Sequence, residues 1–355
     1  MDHAAFWWRH VSGPDRLLGD LAEAAFRHRV LLIEEPPFRE EFGLQFRDRL
    51  LQRDSNLLIA EADGADVAGG IDAGEWLMRQ CGRDMEYHPL DGSRAEVLAK
   101  RKWLAGRVFI IPDVQDQPEW VELAVEYARR SPADNGLLVL LYRGACPLAS
   151  PRKGVAVFRR GDYFTAYDMQ WFAAFCIPEK DSGAVRDYRA QVLARIAGGD
   201  PELCADLARE DVRSDPLESL EALAWRYPVL SDLAADRKRL ELMLWEAQLQ
   251  IVFPLVERLR RRFIDVYRAE LSAVLREEDG VKDEFGNKLA EPEDMEIRHI
   301  WWYCFKKNKA ALSESDRRVF HLIYISRNRL AHLKPVDHAN VMELLMLDEY
   351  EPQRA

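Results

Sequence analysis

The stretch RVLLIEEPPF, residues 29–38, decides the fold class. VLLI is a continuous apolar run with no alternation, the pattern of a strand covered on both faces. Two prolines close it. Downstream, VFII at 108–111 and LLVLL at 137–141 repeat the pattern. Between these runs lie segments long enough for helices, at 38–54, 73–82, 93–105 and 118–130, and a further one, LLGDLAEAAFRH, precedes the first run. NLLIAEAD (56–63) and VAVFRRGD (155–162) complete a set of five expected strands. Strands alternating with helical stretches predict βα units on a mainly parallel sheet.

From about Met169 the texture turns helical. Short helices are expected at 170–177, 184–198, 201–209 and 216–226. A glycine-free stretch then runs from Asp232 to Arg276. Pro254 lies inside it and is expected to end or kink the helix, because proline lacks the N–H and clashes with the preceding turn. Residues 279–292 read as a loop, and helices resume at 295–309, 314–332 and 338–350. The expected fold is therefore α/β plus all-α. It has a five-stranded domain with flanking helices over 1–168, a helical connector over 169–231 and a helical domain over 232–355.

The chain has 355 residues and is 48% hydrophobic and 31% charged, enough apolar content for packed cores rather than wholesale disorder. No run of about 18 apolar residues predicts a membrane span, and the N-terminus lacks the pattern of a secretory leader. The five cysteines, at 81, 146, 176, 204 and 304, form no CxxC pair and read as free thiols of a reducing, cytoplasmic compartment. The net charge of −11 is uneven. From Ala235 onward there are 21 Lys+Arg against 22 Asp+Glu, and before it 29 against 39. The acidic part is a poor partner for nucleic-acid backbones. The near-neutral part carries basic clusters at Arg258, Arg260, Arg261 and Arg262 and at Lys306, Lys307 and Lys309.

A strand, a loop and a helix invite the search for a phosphate loop, which needs glycine-rich backbone and a lysine. After VLLIE come Glu35, Pro36, Pro37 and Phe38, with no glycine or lysine and with a carboxylate where phosphate would sit. RVFIIPD looks like a Walker B strand ending in Asp113. The segment resembles a degenerate P-loop domain of the AAA or STAND kind. That resemblance implies a scaffold without nucleotide hydrolysis, serving as a sensing or docking module. A metal-dependent nuclease centre would need a lysine and an acid at a strand end beside Asp113, and the sequence provides none.

The chemistry-bearing motif lies in SRNRLAHLKP, residues 326–335. Arg327, Asn328 and His332 combine a permanent cation, an amide and an imidazole. Asn328 and His332 are i,i+4 neighbours on one helix face. Arg327 and His332 stand about 140° apart on an ideal helix. The segment is expected to start with a cap at Ser313 or Ser315 and to end at Pro335. Arg83-DMEY-His88 fits the same spacing, but it sits beside Pro89 in the α/β part.

This motif, on a late helix of an all-helical region, resembles the Arg-x4–6-His signature of HEPN domains. The resemblance covers roughly 235–350. It implies a helical bundle, a homodimer that brings two such motifs to one cleft, and a metal-independent endoribonuclease with no cofactor. The chemistry fits the residue types. The RNA 2′-OH is the nucleophile. An imidazole titrating near neutral pH can move its proton or that of the leaving oxygen. A guanidinium can hold phosphate oxygens as charge develops. Arg327, Asn328 and His332 are thus the expected catalytic residues, and Arg329 and Lys334 the expected substrate-binding cations. The layout resembles effectors of bacterial defence or toxin systems, with RNA as substrate and a regulatory partner docking on the N-terminal domain. The alternative is a non-catalytic adaptor built on a HEPN-like dimerisation bundle. Trp245, Phe253, Trp301 and Trp302 read as core, and Glu246 or Glu257 as a neighbour able to tune His332. His299 and His321 have no partners at metal-ligand spacing.

Overall fold

A computed structural model describes residues 2–63, 72–178, 183–209, 220–221, 223–277, 280–307, 312–348, 350 and 352. The helix expected at 216–226 lies in part outside them, and Lys309 lies wholly outside. The chain forms two compact units: Met1–Phe172 with Gly199–Glu202, and Ala173–Gly198 with Leu203–Ala355.

Unit 1 begins with helices α1 (His3–His10) and α2 (Ser12–Arg27). Then come β1 (Val30–Glu34), α3 (Arg39–Arg53), β2 (Leu58–Glu61), α4 (Ala73–Gln80), α5 (Arg94–Lys100), β3 (Arg107–Ile111) and α6 (Pro118–Arg130). Strands β4 (Leu137–Tyr142) and β5 (Val155–Phe158) follow, and α7 (Ala166–Cys176) runs across the division. The five strands form one sheet in the order β2-β3-β4-β1-β5, and every neighbouring pair is parallel. The expected parallel five-stranded sheet is therefore present. Val30 pairs with Leu138 on one side and Val155 on the other, which makes β1 an interior strand. On one face Leu32, Phe109, Ile111 and Leu140 pack with Trp76, Trp120 and Tyr127.

Helix α1 was not expected from the sequence. Asp2 caps it by accepting the Ala5 N–H at 2.9 Å, and burial of Phe6, Trp7 and Trp8 holds it down. Trp7 meets Phe164 and Phe172 edge-on, each at 5.1 Å. Trp8 packs on Phe42 and donates its indole N–H to the Pro37 carbonyl at 2.9 Å. The fifth strand is shorter than expected, because residues 160–162 turn into a short 3-10 segment.

Unit 2 is helical. Its elements are α8 (Gly183–Ala197), α9 (Pro201–Arg209, which begins in unit 1), α10 (Pro228–Ala235), α11 (Arg237–Val266), α12 (Arg268–Leu275), α13 (Ile297–Ile300), α14 (Glu314–Ala331) and α15 (His338–Leu345). A π-helical turn, Trp301–Lys306, continues α13. The 30-residue α11 is the spine, packed against α8, α14 and α15. It continues through Pro254, so the helix does not end there; it ends at Val266, with Tyr267 as its cap. Pro254 is exposed, so the Gln250 carbonyl that loses its partner faces the solvent side. Val252, Leu255, Val256 and Leu259 are buried around it, and that burial offsets the roughly 3 kcal/mol a proline costs in a helix.

Under the start of α14, Asp316 is fully buried. Its carboxylate accepts the Tyr267 hydroxyl at 2.5 Å and the Tyr350 hydroxyl at 2.6 Å, while its N–H is capped by Ser313 Oγ at 3.0 Å.

Candidate functional site

The motif helix α14 ends in a Schellman arrangement. Its cap residue is His332, whose N–H donates to the Asn328 and Arg329 carbonyls at 3.2 and 3.1 Å. Leu333 takes the left-handed conformation, with φ of 56°. The Lys334 N–H then reaches back to the Arg329 carbonyl at 2.9 Å. This is the usual way to satisfy the last carbonyls of a helix, although glycine normally fills the left-handed position.

The five motif residues go to different places. Arg327 is 32% exposed, and its Nη2 lies 3.8 Å from Glu296 Oε2. It lines a cavity of about 180 Å³ with Glu257, Arg260, Glu293, Asp294 and Glu296, and His332 is not part of that lining. The imidazole of His332 is exposed and makes no hydrogen bond among the described residues. Asn328 is half-buried and Lys334 exposed. Arg329 is committed to structure: its Nε donates to the Pro335 carbonyl at 2.7 Å, and its Nη2 lies 3.2 Å from Asp337 Oδ1. Within one chain, then, Arg327 and His332 leave the same helix end without sharing a cleft. That outcome follows from their 140° separation.

Neighbouring elements fix this helix end. Trp245 of α11 donates its indole N–H to the Leu330 carbonyl at 2.8 Å. Gln248, almost fully buried, accepts the Val336 N–H at 2.6 Å and donates to the Val336 carbonyl at 2.9 Å. Sequence reading missed Gln248, since one amide on an amphipathic helix carries no signal of burial. Glu246 pairs with Arg195 at 2.5 Å, and Glu257 pairs with Arg260 at 2.8 Å and faces Arg327. Trp301 is stacked on Tyr324, 4.6 Å and 8° apart, whereas Trp302 is 50% exposed. His299 accepts the Glu296 N–H on Nδ1 at 3.2 Å. Burial, aided by the Arg298 charge, holds its pKa below the ordinary imidazole value. At the second Arg-x4-His match, Arg83 pairs with Glu86 and His88 caps a short turn.

In unit 1, the region beyond the carboxyl ends of the strands, where open α/β sheets bind ligands, is filled by ion pairs. Arg143 pairs with Glu35 and lies 3.2 Å from Asp113. Arg39 lies 2.6 Å from Glu61 and 3.7 Å from Asp113. At the N-terminus of α3, a ready anion site, the Phe38 N–H donates to the carboxylate of Glu202 at 2.8 Å. Carboxylates of the chain itself thus answer these two arginines and this helix-start N–H.

Among the described residues no group of three or more His, Cys, Asp or Glu is placed to hold a metal ion. Among them, too, no helix is long and apolar enough to cross a membrane. No family model matches the chain, and no curated protein matches it.

Proposed function

We propose that unit 2 is a metal-independent endoribonuclease of the HEPN type, completed by a second copy of the chain, and that unit 1 is a non-hydrolytic module that senses or docks a regulatory partner. The reading is carried by the exposed end of α14. There the imidazole of His332 makes no hydrogen bond among the described residues, five residues after Arg327, whose ion pair with Glu296 is long at 3.8 Å. Both groups are therefore open to an external phosphodiester. Two motifs related by a two-fold axis supply the facing pair that one chain keeps apart. His332 then moves the 2′-OH proton or protonates the leaving 5′-oxygen, Arg327 holds the phosphate, and the products are a 2′,3′-cyclic phosphate and a 5′-hydroxyl. An effector of bacterial defence or toxin systems is the setting this layout resembles. For unit 1, the strand order supports a degenerate P-loop scaffold. β1 carries the loop, β3 ends in the Walker-B-like Asp113, and β4 lies between them.

One observation favours the second reading, a non-catalytic adaptor. Four carboxylates and one further arginine line the cavity around Arg327, and such a surround repels phosphate. RNA cleavage in the presence of EDTA separates the two. His332→Ala and Arg327→Ala are each expected to slow cleavage about 10²–10⁴-fold, while His88→Ala cuts as the parent does. A His332→Ala variant as fast as the parent would overturn the ribonuclease reading and leave the adaptor.

A further inference from the structure

We infer that the outer edge of β5 in unit 1 is a docking site for an acidic, extended segment of another protein, which adds to the sheet as a further strand. The inference rests on the reading of unit 1 as a docking module and names what that module docks.

The edge is open in its backbone. β5 pairs with β1 alone. The Val30 N–H donates to the Gly154 carbonyl at 3.2 Å, and Val30 stands opposite Val155. In a parallel ladder this phase turns the N–H groups of Ala156 and Phe158 toward β1 and the backbone groups of Val155 and Val157 away from it. The Val155 N–H is answered locally by the Arg152 carbonyl at 3.1 Å. The Val155 carbonyl and both backbone groups of Val157 have no partner among the described residues. Such a row is a template for another strand.

The charge around this edge is one-sided. Residues 152–162 carry four cations, Arg152, Lys153, Arg159 and Arg160, and one acid, Asp162. They do so in the part of the chain where acids outnumber cations, 39 to 29 before Ala235. Arg160 is held by Glu34 at 3.4 Å. Arg152, Lys153 and Arg159 are exposed and make no ion pair among the described residues, whereas Arg39, Arg94 and Arg143 of the same unit all do. Two of the free cations precede the strand and one follows it. The strand itself, VAVF, is uncharged, and Ala156 and Val157 are half-buried. An incoming strand therefore meets apolar side chains at its centre and cations at both ends. Cations that only kept sheet edges apart would serve best within the strand; here they leave its centre free. Main-chain bonds then supply affinity, and acids flanking the incoming strand supply selection.

Calorimetry on the full chain tests this with a synthetic peptide that has a Thr-Val-Thr-Val-Thr centre and aspartates at both ends. It is expected to bind about tenfold or more tighter than the same peptide with lysine ends, or with an N-methylated backbone through its centre. Arg152, Lys153 and Arg159 are exposed, so the triple variant Arg152→Glu, Lys153→Glu, Arg159→Glu should keep the fold, checked by circular dichroism, and weaken the acidic peptide about tenfold or more. Val157→Pro removes an N–H that bonds nothing in the chain and leaves the ladder to β1 in place, as edge prolines do. It too should weaken the peptide about tenfold. No heat from the acidic peptide at millimolar concentrations would overturn the site and leave the cations as edge repellents. An N-methylated peptide that binds like its parent, or a folded Val157→Pro that does, would overturn strand addition. A micromolar dissociation constant for ATP on the same sample would instead remove the docking reading of unit 1 itself.

Discussion

At the scale of single residues, unit 2 stakes stability on a half-buried imidazole and a buried carboxylate. His299 accepts the Glu296 N–H on Nδ1, which requires a neutral ring. Burial and the Arg298 charge hold its folded pKa below the ordinary value of 6.5. The unfolded chain therefore takes up a proton near pH 6.5 before the folded chain does. Stability from this group is complete above that pH and is lost as pH falls through the lower folded value. His28 in unit 1 is shifted in the same direction, first by burial. Urea unfolding of the parent should show a lower midpoint at pH 5.5 than at pH 7.5, and His299→Gln should show a smaller drop. An identical drop in both proteins would remove His299 from the account. The second group is Asp316. Asp316→Ala leaves the Tyr267 and Tyr350 hydroxyls without their acceptor and should cost about 2–4 kcal/mol, read from the urea midpoint. Legibility at this scale was uneven. A serine cap was readable at Ser313 or Ser315, and the structure places it at Ser313, whose hydroxyl accepts the Asp316 N–H. The tie of Arg329 to Pro335 and Asp337 was not, because it depends on how the chain turns after the helix.

At the scale of elements, helix ends decide more than helix interiors. Leu333 occupies the left-handed position with its side chain 67% exposed. That conformation costs an L-residue roughly 1–2 kcal/mol, partly offset by the extra freedom glycine has when unfolded, roughly 0.4–1 kcal/mol. Leu333→Gly should therefore raise stability by about 0.5–1 kcal/mol. A lowered melting temperature would mean that Leu333 makes packing contacts its exposure hides. The β1–α3 connection is the other decisive junction. With Glu35 on Arg143 and Glu202 on the Phe38 N–H, ATP with magnesium should show no binding at micromolar concentrations by calorimetry. A micromolar dissociation constant would contradict that. The continuous apolar runs showed that these strands lie in a covered parallel sheet, because burial on both faces leaves a direct trace in composition. The strand order left no such trace, since it depends on which helix packs against which face.

At the scale of the whole molecule, the proposed chemistry asks for two copies. Sedimentation at tens of micromolar is expected to show a homodimer, and a clean monomer that still cleaves RNA would contradict the two-copy site. The charge imbalance bears on the same experiment. The excess of acid lies before Ala235, so RNA binding by the basic clusters of unit 2 should weaken steeply with added salt while unit 1 contributes nothing to the slope. The candidate site was legible as residue types and spacing on a helix. Its division between an acidic cavity and an exposed cap was not, because the acids around Arg327 come from segments far away in sequence, at 257 and 293–296.

The ion-pair crater of unit 1 has a consequence in mutational distance. Arg39 and Arg143 already stand where anions would be met, and they are quiet only because Glu35, Glu61 and Asp113 answer them. Removing Glu35 alone would leave Arg143 with Asp113 as its remaining counter-ion there and turn one end of the crater cationic. The first step from this surface toward an anion receptor is therefore a subtraction, the loss of one carboxylate, before any glycine or lysine is gained.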